Sequence, residues 1–576
     1  MPPRAVLPLL LVGAAVLDLY AIGWGVPNGN ETWATDSIQP LAPLSIVRRM
    51  VVEPWNSGWF WFKYPPGHPL LLVAAYAPYL AWLKLTGGLG TPAADYPHGF
   101  ADPEAAMGVL ALVGQLVSAA MGVGCVGLAY ATVRRLWGWR AGAAAGLLVA
   151  FSYPIVFYAH TTNVEVPYLC WTALAVYAVA RLVSDATGRW FAVFAAAAAM
   201  AVSTKELVAP FLLALGGAVV AVRWWREGGW RPPRGAPAGV AAGLAVMVVA
   251  NDVIGNPLGF LHRVQFLTHT IDPDVRARYA PYYFPIELGG HRGLDVELTQ
   301  LRAVGEAVVA SLGWPTTLLA GVGLAVAART HPVGTAVLVT AALGYYVAGL
   351  RAMIALTMRY VLPVVFVASL FAGVAVARLV RPGRARALRA LVATAAVAYA
   401  IGYGWDVDRM LAGDGRYDAE AWLANLPPGA RIEVYQRPTY LPRLPSHLRP
   451  ERIGFEQIDT AAFRRRRPDY VLVSSAGIGG LTIRYAEDWQ GAGAGDGRDD
   501  LVPARRLGDR VLNYQHRRNR KFLAGLVSGR LGYRPVARFR VDPWIDRPLI
   551  GSLNPEITIY ARADGDAWAH NRSAAP

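Results

Sequence analysis

Charge is scarce in this chain. Only 16% of its 576 residues are Asp, Glu, Lys or Arg, against 55% hydrophobic. Several apolar runs reach the ~20 residues that cross a bilayer core, which a soluble core of this size would not need. The scarcity excludes an ordinary soluble protein and points to a polytopic α-helical membrane protein. Cysteine is nearly missing as well. Cys125 and Cys170 are the only two, and both lie in apolar segments, which argues against a disulfide framework and against a cysteine-ligated metal site. No internal repeat is evident, which weakens a reading as an inverted-repeat transporter. The run from Ala5 to Val26 lacks an obvious small-x-small cleavage site before Pro27, carries one arginine ahead of it and contains Asp18. It reads as a retained first helix rather than a secretory signal.

What charge there is leans basic, with a formal net charge of +16. Much of the excess sits in short loops between apolar runs, where Lys and Arg fix topology, so it does not imply nucleic acid. The runs place spans at 5–26, 105–131, 141–158, 166–183, 190–204, 207–225, 235–254, 303–328, 332–350, 358–378 and 388–405, about 11 in all. "RRLWGWR" (134–140), "RWWREGGWRPPR" (223–234) and "RLVRPGRARALR" (378–389) are strongly basic and are expected to be cytoplasmic. "HTTNVEV", "STKE" and the 255–302 segment then fall on the other side. One run breaks the alternation. If Pro69–Leu85 crossed, the acidic "ADYPHGFADPE" (94–104) would turn cytoplasmic and every later basic loop would turn outward. An interfacial or re-entrant helix inside one large outer loop, 27–104, keeps the pattern, with twelve spans as the rival.

After Trp405 no spanning run remains. "ARIEVYQ" (430–436), "PDYVLVSS" (468–475), "YRPVARFR" (533–540) and "EITIYARA" (556–563) read as strands. "DAEAWLANL" (418–426) and "RNRKFLAGLVSG" (518–529) read as helices. The expected organisation is a membrane domain, 1–405, followed by an extracytoplasmic α/β domain, 406–576.

Chemistry collects at the outer ends of the spans. The first outer loop carries Glu31 and Asp36 in "NGNETWATDSIQP", and a placed carboxylate can take a proton from an attacking group. In "KYPPGHPLLL" two prolines stop the backbone from continuing as helix and aim Lys63 and Tyr64 at one place, with His68 close behind. Glu165 lies in "HTTNVEVPYL", Lys205 in "AVSTKELVAP", and Arg359 with Tyr360 in "LTMRYVLP". Singly, each is an interface anchor or half of an ion pair. Together, carboxylates at 36 and 165 and cations at 63, 205 and 359 suit a lipid-linked phosphate with a carboxylate beside its sugar. Asp36, Glu165 and His68 lack a specific metal-ligand spacing, so a divalent metal stays open.

The ordered set "WATDS", "KYPPGHPLL", "NVEVPYLCWTALAVYA", "STKELVAP" and "MRYVLPVVFVASLFAG" resembles the C-type membrane glycosyltransferases of the protein O-mannosyltransferase and lipid A aminoarabinose transferase group. The similarity covers roughly 5–405, and bacterial members have counterparts of the trailing α/β domain. The resemblance implies a sugar donor on polyprenyl phosphate, an extracytoplasmic acceptor, transfer with inversion, and a place in the plasma (inner) membrane. On it, Asp36 matches the first-loop catalytic carboxylate and Glu165 a second acidic position. Lys63, Tyr64 and Pro65-Pro66 match the segment that contacts the donor, and Lys205 and Arg359 match basic positions near the lipid phosphate. His68 and Tyr360 complete the candidate donor-binding set. The chain departs from the pattern at Ser37, where many members have Glu, and at Glu165, where many have Asp; Glu31 is therefore a spare candidate for the base. A transporter or flippase for lipid-linked sugars would use the same cations, but the span middles here are mostly Ala, Val, Leu and Gly.

Overall fold

The computed structural model describes residues 3–26, 32–61, 63–184, 188–227, 235–279, 294–353, 356–383, 385–454, 457–475, 482–483, 501–507 and 510–564. Glu31, residues 228–234 of the second basic loop and the Gly- and Asp-rich stretch 491–500 lie outside them. The chain divides into two compact units, residues 1–30 with 36–408, and residues 31–35 with 409–576.

The first unit is helical. Five helices among the described residues are long and apolar enough to cross a membrane: Pro103–Trp137, Glu165–Ser184, Glu206–Arg226, Leu362–Leu379 and Arg386–Leu423. The count reaches seven if each of two bent helix pairs is one span, against about 11 runs in the sequence reading. Arg189–Val202, Ala236–Ala250 and Pro332–Ala348 are shorter apolar helices. The Pro69–Leu85 run forms a helix, Gly67–Leu85, which is not among the five.

Two expected spans are corrected. The 303–328 run is not one rod: Glu297–Leu312 and Trp314–Thr330 bend by 111°. Between them Gly313 adopts φ +73°, a left-handed conformation that other residues take at a cost. Pro315 then opens the next helix, where its missing N–H costs nothing. Likewise 141–158 is broken into Trp139–Ala150 and Tyr153–Ala159, bent by 61°, with a proline at the start of the second helix.

The second unit holds a small α/β sheet. Strands β1 (Arg431–Val434), β2 (Arg449–Arg452), β3 (Tyr470–Ser474), β4 (Thr482–Ile483), β5 (Leu501–Leu507), β6 (Arg510–His516), β7 (Tyr533–Phe539) and β8 (Ile557–Arg562) form two sheets. The larger runs β2-β1-β3-β8-β7, parallel at β1–β2 and β1–β3 and antiparallel at β3–β8 and β7–β8. Side chains alternate across it, as a two-residue period requires. Tyr470, Leu472, Ile557 and Ile559 pack with Ala419 and Leu423 of helix Gly415–Leu423. Val471, Val473 and Tyr560 pack with Phe463, Phe522 and Leu526 on the opposite face. The four strands and two helices read from the sequence are all present. Strands β2, β4, β5 and β6 were not anticipated.

Within this unit the short segment 32–35 is held by a buried ion pair. Arg416 donates from Nε and Nη2 to the two oxygens of Asp414, at 2.9 and 2.7 Å. Its guanidinium lies 4.1 Å from the centre of the Trp33 ring. Thr35 Oγ1 donates to the Tyr440 hydroxyl at 3.3 Å.

Candidate active site

Four segments far apart in sequence meet in the first unit, and backbone groups do the joining. The first outer loop is tied to the Glu165 loop twice. Ile38 N–H donates to Thr162 O at 3.2 Å, and Thr162 Oγ1 donates to Ile38 O at 2.9 Å. The proline segment docks on "STKE" through Gly67 N–H to Ser203 O, 2.9 Å. A Cβ on Gly67 would stand 2.6 Å from that carbonyl oxygen, so only glycine permits the approach. The "MRY" turn is fixed by two tyrosines whose hydroxyls donate to its carbonyls: Tyr168 to Arg359 O at 3.2 Å and Tyr345 to Tyr360 O at 2.7 Å.

This scaffold brings the candidate charges into two adjoining groups. In one, Arg359 Nη1 donates to Asp36 Oδ2 at 2.5 Å, and Lys63 Nζ lies 3.6 Å from Asp36 Oδ1. Asp36 sits at φ +63°, a conformation Asp tolerates better than most residues because its short side chain bonds locally. The group is open to solvent: Asp36 is 35% exposed and Lys63 30%. In the other, Lys205 Nζ donates to Glu165 Oε1 at 2.9 Å, both side chains buried. The second carboxylate oxygen, Glu165 Oε2, is buried with no hydrogen-bond partner among the described residues.

Tyr360 joins the groups. Its ring centre is 5.2 Å from Lys205 Nζ and 4.8 Å from the Arg359 guanidinium, and its hydroxyl accepts from Arg359 Nη2 at 2.7 Å. Tyr64 lies beside Lys63, the ammonium 5.7 Å from its ring centre. Seven of the eight sequence candidates thus share one neighbourhood. The arrangement can hold an anion by displacing Asp36 from its cations, with the Asp36 carboxylate open to solvent beside it and the Glu165 carboxylate buried behind.

His68 departs from expectation. It is wholly buried at the start of helix Gly67–Leu85, and neither ring nitrogen has a hydrogen-bond partner among the described residues. Burial pushes its imidazole down to about 3, so it stays neutral and brings no positive charge to a headgroup. Among the described residues no three His, Cys, Asp or Glu side chains converge as metal ligands. Asp36 and Glu165 each hold a cationic side chain instead.

Sequence reasoning missed three tyrosines. Tyr168 follows Glu165 by three residues on the same helix, a spacing that shares a face and was legible in "NVEVPY"; its ring centre lies 5.1 Å from Lys205 Nζ. Tyr158 lies within Coulombic reach of Glu165, Arg359 and Asp36. Tyr345 comes from a helix with no charged neighbour in sequence. Nothing local marked either of the last two.

Residues 105–250 match a protein family described as dolichyl-phosphate-mannose-protein mannosyltransferase. No curated protein sequence matches the chain. Among solved structures, similar chains include ArnT from Cupriavidus metallidurans in the apo state, at 17% identity, covering 82% of this chain and 94% of that one, TM-score 0.45. Another is the oligosaccharyltransferase of Archaeoglobus fulgidus in the apo form, at 14% identity, covering 83% and 70%, TM-score 0.42. A third is the S. cerevisiae protein O-mannosyltransferase Pmt1-Pmt2 complex bound to the sugar donor, at 15% identity, covering 50% and 38%, TM-score 0.31. The family match takes in Glu165 and Lys205, and over residues 105–250 it bears out the resemblance to the protein O-mannosyltransferase group of membrane glycosyltransferases.

Proposed function

We propose that this protein transfers a sugar from a polyprenyl-phosphate donor to an acceptor on the extracytoplasmic face of the membrane, with inversion at the sugar carbon. The observation that carries the reading is the meeting of Asp36, Lys63, Glu165, Lys205 and Arg359 from segments scattered over more than half the chain. Charges beside apolar helices are costly and collect where function requires them.

Lys63, Lys205 and Arg359 are the donor-phosphate cations, with Tyr64 and Tyr360 beside them. Arg359 offers a planar fork suited to phosphate oxygens. When the phosphate takes Lys63 and Arg359, Asp36 loses the partners that neutralise it and becomes free to accept a proton. The acceptor oxygen then attacks the sugar carbon, its proton passes to Asp36, and the carbon–oxygen bond to the phosphate breaks with the electron pair leaving on phosphate. The cations stabilise that developing charge. Glu165, whose buried Oε2 has no hydrogen-bond partner among the described residues, is the second carboxylate of this reading. His68 serves packing, and Glu31 remains the alternative base.

The test is transfer in sealed right-side-out vesicles supplied with labelled polyprenyl-phosphate sugars. The expected product forms on the outer face, where an added glycosidase removes the label. Asp36→Asn keeps the side chain's size but not its charge, so turnover should fall by roughly 10²–10⁴-fold. Near-native transfer by Asp36→Asn, with Glu165→Gln or Glu31→Gln inactive, would move the base elsewhere.

A further inference from the structure

Beside the donor segment lies an open cleft lined by Trp59, Trp61, Phe260, Asn251, Asp252 and Arg263. Apart from Met50, its lining residues come from two stretches, 59–61 with 65–66 and 251–263, that are zipped together. Leu258 N–H donates to Asn56 Oδ1 at 2.7 Å and Gly58 N–H to Asn256 Oδ1 at 3.1 Å. Asn256 Nδ2 donates to Trp59 O at 2.6 Å, and Arg263 Nη1 to Trp61 O at 2.8 Å. The two indoles stand edge to face, ring centres 6.0 Å apart and 68° between planes. Each is only half-buried. So many bonds across the two stretches hold the cleft open in one shape.

Its charges nearly cancel. Arg263 is neutralised by Glu206, at 2.8 Å from Nε. Asp252 has no salt-bridge partner among the described residues, and its carboxylate accepts the Gly255 N–H. The guanidinium of Arg49 lies 4.9 Å from the centre of the Trp59 ring. The cleft therefore sets one carboxylate and one guanidinium beside aromatic faces, without the excess positive charge that a phosphate needs. Ring faces of Trp pack against the apolar C–H face of a sugar, while Asp and Asn accept from and donate to its hydroxyls. The isoprenyl chain of a donor lipid would gain nothing from these charged groups and would have to desolvate them.

The cleft also adjoins the donor cations along both stretches. Pro65 and Pro66, two residues past Lys63, form part of its lining. Asn251 Nδ2 donates to Ser203 Oγ at 2.8 Å, and Glu206, which holds Arg263, is the residue after Lys205. We infer that this cleft is the acceptor subsite and that the acceptor is a neutral carbohydrate. The assignment rests on the reading of Lys63, Lys205 and Arg359 as the donor-phosphate site.

The experiment is saturation-transfer NMR on the full-length protein in nanodiscs, with methyl glycosides of neutral hexoses and pentoses as probes. Saturation should reach the ring C–H protons of at least one glycoside and should persist in Arg359→Ala, because Arg359 does not line the cleft. Trp61→Ala, which removes an aromatic face, and Asp252→Asn, which removes a charged hydrogen-bond acceptor, should each weaken glycoside binding by about tenfold or more. Asp252 sits at φ +52°, and Asn accepts that conformation as readily as Asp, so Asp252→Asn decides if Trp61→Ala does not fold. Both variants should keep wild-type affinity for undecaprenyl phosphate. No saturation of any glycoside, or undiminished saturation in both variants, overturns the subsite. Loss of undecaprenyl phosphate binding in Trp61→Ala, with glycoside binding intact, overturns it in favour of a lipid channel. Unchanged undecaprenyl phosphate affinity in Arg359→Ala is a separate result, which removes the donor-site reading and not the glycoside signal.

Discussion

At the scale of residues, the two carboxylate–cation groups differ in what they ask of the fold. Asp36, Lys63 and Arg359 face solvent in part, so screening makes their ion pairs weak contributors to stability. Lys205 and Glu165 are buried, where the loss of hydration on both ions offsets most of their attraction. Removing one partner leaves a bare charge in the interior and should cost about 3–5 kcal/mol, whereas replacing both with apolar groups is often neutral. Lys205→Met is therefore expected to lower the melting temperature sharply in detergent. The double variant Lys205→Met with Glu165→Leu should recover most of that stability and none of the transferase activity. A double variant that melts as low as Lys205→Met would mean the pair does more for packing than for charge, and an active one would remove both residues from the site.

At the scale of elements, the site is assembled by turns rather than by helix interiors. Gly67, Thr162, Ser203 and the Met358–Tyr360 turn all lie at helix ends. Gly67→Ala puts a methyl group 2.6 Å from Ser203 O, a backbone atom that cannot swing aside. The donor segment should then shift, and affinity for undecaprenyl phosphate should drop several-fold while the bulk helical circular dichroism is unchanged. Unaltered affinity would show that the Gly67–Ser203 contact does not set the position of Lys63. Much of this was legible beforehand. Prolines marked where helices stop, and polar residues at the ends of apolar runs named eight candidates, seven of which meet. What stayed hidden was contact between segments distant in sequence: Tyr345 reaching Tyr360, Thr162 gripping Ile38, and the cleft walls zipped across about 200 residues. His68 misled because its place just after the Lys63–Tyr64 segment suggested a share in donor binding, while its complete burial was not legible in the sequence. Two bent spans were missed because an apolar run continues through Gly313 and Phe151-Ser152 with little change in composition.

At the scale of the whole molecule, a bundle of apolar helices carries the charged site at its helix ends, and a separate α/β unit follows it. The alternating two-sided sheet of that unit was readable from strand periodicity, while β2 was not, because Arg449–Arg452 is exposed throughout and three of its four residues are charged. Residues 32–35, immediately before Asp36, fold with this second unit through the Trp33–Arg416 contact. Arg359, Lys63 and Lys205 are proposed to hold the lipid-linked phosphate, and the whole mechanism depends on it. The most direct measurement of that role is the affinity of the purified protein for undecaprenyl phosphate, in the wild type and in Arg359→Ala, Arg359→Lys and Lys63→Ala. The account predicts a loss of about tenfold or more for each alanine variant, the scale of a charge-assisted bond, and a clear loss for Arg359→Lys because the planar fork is gone. Wild-type affinity in both alanine variants, with folding intact, would contradict it.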